Sequence, residues 1–468
     1  MILPVGRNLF RQILFLKGVS HMTELKLPTA VGQLIERLER AGFETYAVGG
    51  CVRDCLLSRT PEDWDLCTAA LPEQILALFA EYGPIPTGLS HGTVTVPFDG
   101  TAYEITPFRT ESGYADGRHP DRVLFGCTLE EDLARRDFTV NAMAYHPLRG
   151  LIDPFGGRQD LKARLLRCVG DPSRRFGEDA LRLLRGVRFL ALFGLTVEPD
   201  TAAALHELAP TVVRTAPERL LPELLKLLCA PHAETALSEF SDLLFAILPE
   251  LAAQKDFPQN TPHHYLDIWR HTLAVLSASP PTPALRLAAL LHDVAKPLCA
   301  TVDAEGISHF KGHPVRGAEA ADAILRRLRC SNTLRERVVS LVLLHDERTK
   351  PTLPAVRRLM ARVPPSMLEE LFALQRADVA GQAPDRRPEK LARISAVEAL
   401  SRQVLERELC CSLAQLAVSG DDLLALGSSR GPALGTLLNR LLEAVMDEQV
   451  ENDREALLRQ AALWLSES

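Results

Sequence analysis

What the chain lacks narrows it first. It has no uninterrupted apolar run near the roughly 20 residues that a spanning helix needs, so no membrane partner is expected. From Arg7 to Val19 basic residues precede a short apolar stretch. A small-residue cleavage pattern is missing and Lys17 interrupts the run, which argues against a secretory signal. Met22 offers a more ordinary beginning, and residues 1–22 are expected to be disordered or a start-site extension. The ten cysteines form no doubled CxxC and no framework of a short secreted chain, which suits free thiols and a cytoplasmic location. Positive charge is also short: 53 Lys and Arg against 60 Asp and Glu leave a formal net charge of −7. The molecule as a whole would repel nucleic acid, so any RNA site must be a local basic patch. No fixed-period repeat is visible.

What is present is an ordinary globular composition, 46% hydrophobic and 24% charged over 468 residues, enough for two to four domains. Short β-rich runs at Thr45 to Val48, Gly92 to Pro97 and Tyr103 to Thr106 alternate with helical stretches, which predicts an α+β head with a mixed sheet. After Pro154 the spacing becomes helical, as in Leu181, Leu184 and Val187 or Leu220, Leu224, Leu227 and Leu228, and predicts an almost wholly α remainder. Breaks rich in Pro or Gly near 153–157, 257–263, 279–283 and 381–388 suggest a head at 23–152, a neck and body at 153–260, a third helical unit at 261–388 and a tail at 389–468.

The run YAVGGCVRDCLLSRTPEDWDL reads as strand, glycine turn, helix and second strand. Gly49 and Gly50 would let backbone N–H groups approach a phosphate, with Arg53 as a charged donor one turn on; a plain turn is the alternative. Asp63 and Asp65, two apart on an expected strand, would share one face while Trp64 points to the core. Two carboxylates side by side suit a pair of Mg²⁺ ions, with Glu104 in YEITPFR a third candidate ligand. Glu178, Asp179 and Arg182 in EDALRLLR would lie on one helix face, with Arg185 one turn on. An ion pair along the helix is the plain alternative. The other reading is a base selector. Cytosine and adenine each offer an amino donor beside a ring-nitrogen acceptor, which match a carboxylate beside a guanidinium, whereas uracil and guanine do not. Residues 162–188 carry eight cationic side chains against three acidic ones, the local patch that the overall charge demands.

GGCVRD and DWDL, RRDFTVNAMAY at 135–145, DPFGGRQDL at 153–161 and EDALRLLRGVRF at 178–189 occur in an order that resembles the class II tRNA nucleotidyltransferase and poly(A) polymerase family. The resemblance implies a nucleotidyltransferase head, catalytic metals on Asp63 and Asp65, and contacts from Arg136 and Asp137 to the sugar and phosphate of the incoming nucleotide. It also implies an amino-acid template at Glu178, Asp179 and Arg182, braced by Arg219 and Glu223 of APERLLPELLKLL. GLSHGTVTV at 88–96, the Tyr-x-Asp-x-Arg-His-Pro loop at 114–120 and the tail at 420–452 look most like bacterial CCA-adding enzymes. That implies tRNA as partner, gripped in part by the tail, with ATP and CTP as substrates. Poly(A) polymerase, a C-only or an A-only enzyme are the alternatives.

His271, the dipeptide His292-Asp293, His313, His345 and Asp378 fall on successive expected helices and resemble an HD-superfamily domain. Such donors suit one or two divalent transition metals that activate water on a phosphate ester. Two further readings follow: a phosphohydrolase with an RNA-binding head, and a non-catalytic RNA-binding protein, which would have little use for paired metal carboxylates.

Overall fold

The computed structural model describes residues 25–88, 92–113 and 122–466; the expected extension at 1–22 and the loop at 114–120 lie outside the described residues. The chain divides into two compact units. One holds the residues up to Glu223 together with Phe240–Ile247, the other Leu224–Glu239 together with Leu248 onward.

The first unit is built on a seven-stranded mixed sheet. Its strands are β1 (Thr45–Val48), β2 (Asp65–Thr68), β3 (Ile85–Gly88), β4 (Thr93–Phe98), β5 (Thr101–Pro107), β8 (Ala144–His146) and β9 (Gly150–Ile152), in the order β3-β4-β5-β2-β1-β8-β9. A separate hairpin joins β6 (Arg109–Ser112) to β7 (Arg122–Phe125). β1 is buried at every residue and sits inside the sheet, whereas β5 alternates, with Tyr103 and Ile105 inward and Glu104 outward. The pairing of β2 with β5 is parallel, unlike the other pairings of this sheet. The helix Thr29–Arg40 covers the sheet with Val31, Leu34, Ile35 and Leu38, a stripe at helical spacing.

Beyond the sheet the unit is helical. Leu181–Phe193 buries Leu183, Leu184, Val187 and Leu190, and Phe138 packs edge-on against Phe189 at 5.8 Å. The β-content after Pro154 is confined to two-residue pairs, Leu165–Leu166 with Thr196–Val197 and, in the second unit, Thr301–Val302 with Ser308–His309. Strands β3, β6, β7, β8 and β9 escaped the periodicity reading because three or four residues carry too little alternation to be seen.

The second unit is otherwise all α. Pro283–Leu291 is its central helix, buried at every residue from Ala284 to Leu291, which is why, Arg286 apart, the segment reads apolar all round. Ile268–Ala278, Asn332–Leu344 and Pro365–Ala380 pack against it. At the C-terminal end Leu423, Leu437, Leu441 and Leu457 form a smaller core. Arg357 is buried beside it, donating to the Cys410 carbonyl at 2.7 and 2.9 Å and to the Val445 carbonyl at 2.9 Å.

In DPFGGRQDL, Gly157 begins a helix whose backbone presses on the short 3-10 turn Thr139–Asn141. A Cβ there would lie 2.1 Å from the Thr139 carbonyl oxygen, a backbone atom that cannot swing aside. Gly157→Ala is therefore expected to destabilise the first unit by about 1–3 kcal/mol, the usual range for overpacking. Chemical denaturation of the variant beside the parent measures it.

Candidate functional site

β1 ends in a turn at Gly49, whose φ of 77° and ψ of −122° fall where glycine alone is comfortable. A Cβ at Gly49 would stand 2.7 Å from Arg136 Nη1, so glycine also leaves room for that guanidinium. The Gly49 N–H donates to the Met143 carbonyl at 3.0 Å, while Gly50 opens the helix Gly50–Leu56. Arg136 lies 3.5 Å from Asp132, and its buried Nε has no hydrogen-bond partner.

Asp65 opens β2 and stands directly beside Glu104 in the parallel register with β5. Asp63 precedes the strand rather than lying on it, and Trp64 is half-buried instead of filling the core. Strand alternation therefore explains Asp65 and Glu104, and chain proximity brings in Asp63. All three side chains are exposed. The Asp65 carboxyl is nevertheless raised above its usual value by local desolvation, then by the negative charges of Glu104 and Asp63, against the pull of Arg136. A cluster that disfavours its own ionisation lacks positive charge, and a divalent cation held by carboxylate oxygens fits it.

Arg53 is not the free phosphate donor that the sequence suggested. It is buried, donates to Asn141 Oδ1 at 2.5 Å, pairs with Asp54 at 2.8 Å and lies over the rings of Phe189 and Phe193 at 5.2 and 4.7 Å. Asn141 in turn donates to Asp137 Oδ1 at 3.0 Å, and Arg185 grips Asp137 Oδ2 through Nε and Nη2 at 2.9 and 2.7 Å. Burial alone would raise the Asp137 carboxyl; Arg185 and the hydrogen bonds from Asn141 and Arg185 instead hold it far below the usual range. Glu223 continues the chain of charges, 4.0 Å from Arg185 and 2.7 Å from Arg188.

The EDALRLLR segment is not one continuous helix. Glu178 ends the helix Pro172–Glu178, Asp179 is extended at φ −148° and ψ 108°, and Leu181–Phe193 begins afterwards. Glu178 and Arg182 still meet at 2.7 Å, but Asp179 turns to Arg219, which donates to both its oxygens at 3.1 and 2.7 Å. Arg182 also donates to the carbonyls of Arg175 and Arg135 at 3.1 and 3.2 Å. Arg175, which the sequence did not single out, ties the carbonyls of Ala134, Arg135 and Val169 to Glu178. Helical spacing signals only its pairing with Glu178, three residues on; the carbonyls of Ala134 and Arg135 lie some 40 residues away, where no spacing rule reaches.

The second unit gathers a different set. Asp293 sits at the end of the central helix, 1% exposed, and four imidazoles aim Nε2 at it: His292 at 3.1 Å, His313 at 3.4 Å, His271 at 3.5 Å and His345 at 3.6 Å. Asp378 stands 3.1 Å from His271. The Nδ1 atoms of His271, His292, His313 and His345 each face a backbone carbonyl, of Gly381, Ala289, Phe310 and Val342, at 2.6–3.2 Å. A carbonyl oxygen only accepts, so each Nδ1 donates and Nε2 is the ring atom turned toward Asp293, the arrangement in which a second-sphere carbonyl orients a metal-ligating imidazole. Burial pushes His313 down to about 4, so its imidazole is neutral at physiological pH. Neither oxygen of Asp293 receives a well-directed hydrogen bond, although Lys296 Nζ is 2.6 Å away. His271, His292 and Asp293 form one triad of donors within 4.8 Å of one another; Asp293, His313 and His345 form another. A shared carboxylate between two triads fits two transition-metal ions. Sequence reasoning missed Lys296 and His264. Lys296 is three residues after Asp293, a spacing that signals contact on a helix; His264 packs edge-on to His271 at 4.7 Å and nothing local signals it.

With this geometry in hand, comparison with known proteins is informative. A family profile described as "Poly A polymerase head domain" matches residues 45–167. Another, "Probable RNA and SrmB- binding site of polymerase A", matches residues 194–255, and "tRNA nucleotidyltransferase domain 2 putative" matches residues 315–461. The CCA-adding enzyme of Lactobacillus helveticus is 34% identical over 428 residues, 91% of this chain and 94% of that protein. That of Geobacillus kaustophilus is 46% identical over 222 residues, 47% of this chain and 54% of that protein. Among solved structures, the CCA-adding enzyme of Bacillus stearothermophilus in complex with CTP aligns with a TM-score of 0.70 and 30% identity, covering 93% of this chain and 97% of that one.

Replacing Arg185 by Ala would leave the buried Asp137 charge without its bidentate partner. We expect a loss of about 2–3 kcal/mol, toward the low end for a broken buried pair because Arg185 keeps 33% of its side-chain surface in water. Thermal unfolding followed by circular dichroism checks it.

Proposed function

The chain belongs to the family of CCA-adding enzymes, and on that premise we propose that it adds cytidine, cytidine and adenosine to the 3′ end of tRNA from CTP and ATP, releasing pyrophosphate. The observation that carries the reading is the crowding of Asp63, Asp65 and Glu104 at the edge where β2 meets β5, beside the Gly49 turn and Arg136. Two Mg²⁺ ions held by Asp63 and Asp65 would supply the Lewis acidity that activates the RNA hydroxyl and stabilises the leaving pyrophosphate. Arg136 is the cation whose charge acts on Asp65, and its guanidinium would meet triphosphate oxygens or the sugar. Asp137, held ionised by Arg185, fixes the segment that carries Arg136.

Base choice falls to Asp179 and Arg182. Arg219 and the Leu181 N–H occupy part of the Asp179 acceptor capacity, and Glu178 with two carbonyls occupies part of the Arg182 fork. Arg182 Nε carries no hydrogen bond among the described residues, so one donor remains for a base edge, to act with the acceptor capacity that Asp179 has left. That pair complements the edges of cytosine and adenine and leaves uracil and guanine with unpaired polar groups. In this reading residues 23–152 bind the triphosphate, 153–260 select the base and 389–468 grip the tRNA. The ten cysteines are all free, in keeping with a reducing cytosol, and no described helix is long and apolar enough to cross a membrane.

A second activity is favoured by the four imidazoles converging on Asp293. His271, His292, Asp293 and Asp378 would hold one divalent transition metal, and Asp293, His313 and His345 another, supplying an activated water for hydrolysis of a phosphate ester. The Nε2 atoms turned toward Asp293 and the shared carboxylate are what this chain contributes.

Purified protein given tRNA lacking its last three nucleotides, CTP, ATP and Mg²⁺ should add CCA and stop. A tail of indefinite length would make it a poly(A) polymerase, and C alone or A alone a partial enzyme. Arg182→Ala should lower discrimination against UTP by at least about tenfold, the weight of one lost base-edge hydrogen bond, while Asp63→Ala abolishes transfer. Normal rejection of UTP by Arg182→Ala would falsify the selector. Elemental analysis by plasma mass spectrometry should find two transition-metal ions per chain, lost in His292→Ala; an unchanged metal content in that variant would remove the second centre.

A further inference from the structure

In the first unit Arg175 lies on the helix Pro172–Glu178, whose start is capped by Asp171, and its side chain keeps only 12% of its surface in water. Its guanidinium reaches three carbonyls. Nη2 donates to Ala134 at 2.7 Å, Nη1 to Arg135 at 3.1 Å and Nε to Val169 at 3.3 Å. These acceptors bracket the dipeptide Arg136-Asp137. Ala134 and Arg135 precede it, and the Val169 N–H donates to the Asp137 carbonyl at 3.1 Å, which ties the same backbone from its other end. Nη1 also donates to Glu178 Oε2 at 2.7 Å, and Arg182 Nη1 donates to that same oxygen at 2.7 Å. The Arg135 carbonyl is shared in the same way, with Arg182 Nη2 at 3.2 Å, and the carbonyl of Arg175 itself accepts from Arg182 Nη1 at 3.1 Å. Two guanidiniums side by side repel, so they stay together only through the acceptors they share. Displacing one displaces the other.

We propose that Arg175 is a positioning residue for base choice: it fixes the Arg182 guanidinium against the backbone that carries Arg136 and Asp137, so that base and triphosphate are read as one unit. The inference rests on reading Asp179 and Arg182 as the base selector. A cytosine or adenine edge that satisfies Arg182 leaves the shared acceptors undisturbed, and Arg136 stays where the triphosphate meets it. A base edge that presents the wrong polar group pushes Arg182 off those acceptors. Arg175 loses the same acceptors, and the backbone from Ala134 to Asp137 shifts with it. Misplacement of about 1 Å at the reacting phosphorus is enough to cost on the order of 100-fold in rate. A wrong base is thereby rejected at the chemical step as well as in binding. Arg175 acts only through Arg182 and the backbone, which separates it from the groups that meet the nucleotide. A lysine does not replace it, because a single ammonium cannot span acceptors on both sides of the Arg136-Asp137 dipeptide as a planar fork does.

The test uses full-length protein with Mg²⁺ and tRNA lacking its last three nucleotides, and measures kcat and KM for CTP and for UTP. Arg175→Ala should lower the ratio of kcat/KM for CTP over UTP about tenfold, the weight of a lost charge-assisted hydrogen bond, with most of the loss in the kcat for CTP. Because Arg175 acts through Arg182, Arg175→Ala combined with Arg182→Ala should discriminate no worse than Arg182→Ala alone. Arg175→Lys should fall between Arg175→Ala and the parent. Equal slowing of CTP and UTP in Arg175→Ala would reduce the residue to a structural brace and overturn the proposal, as would losses that multiply in the double variant. If circular dichroism shows that Arg175→Ala does not fold, Arg175→Lys decides: a lowered ratio supports the proposal and a parental ratio overturns it. Should Arg182→Ala itself reject UTP normally, the selector reading fails and the role of Arg175 falls with it. A parental ratio in Arg175→Ala beside a lowered one in Arg182→Ala removes the role of Arg175 alone and leaves the selector standing.

Discussion

Parallel pairing of β2 with β5 is the constraint on which the head depends. It sets Asp65 beside Glu104 in register, and local desolvation followed by the charge of Glu104 raises the Asp65 pKa. Antiparallel neighbours on either side lock the register, so the two acids cannot slip apart without turning Leu66 and Ile105 out of the core. The fold thus holds an electrostatic deficit in place, which a bound cation would relieve.

Around that edge the arginines divide their work. Arg53, Arg175 and Arg185 are spent on internal acceptors, carbonyls and the buried Asp137, and so hold backbone segments in position. Arg136 and Arg182 keep N–H donors unspent. An arginine-rich stretch in an acidic protein is therefore only partly a patch for RNA; much of it is a scaffold that keeps the remaining donors aimed. Glycine at 49 belongs to the same economy of space, since a methyl group there would displace Arg136.

The second unit repeats the principle with other chemistry. Apart from Arg286 the central helix is apolar, yet His292 and Asp293 follow it, and Asp293 is buried with neither oxygen properly hydrogen-bonded. Burial would raise the Asp293 carboxyl, but His292 and Lys296 hold it well below the usual range. Backbone carbonyls accept from all four Nδ1 atoms, so the rings are oriented in advance of any ligand.

The sequence by itself was enough for the α+β head, the helical remainder, the glycine turn and the identities of the acidic and histidine donors, because each is written in local spacing or in a short ordered motif. It could not say that Asp63 stands off the strand, that the EDALRLLR helix breaks at Asp179, or that Arg53 is buried. Those outcomes depend on partners far along the chain: Asn141 for Arg53, Arg219 for Asp179, Glu104 for Asp65. Helical and strand periods report which face a residue is on, but which charge meets which is settled only when distant segments pack and every buried ion must find its counterpart.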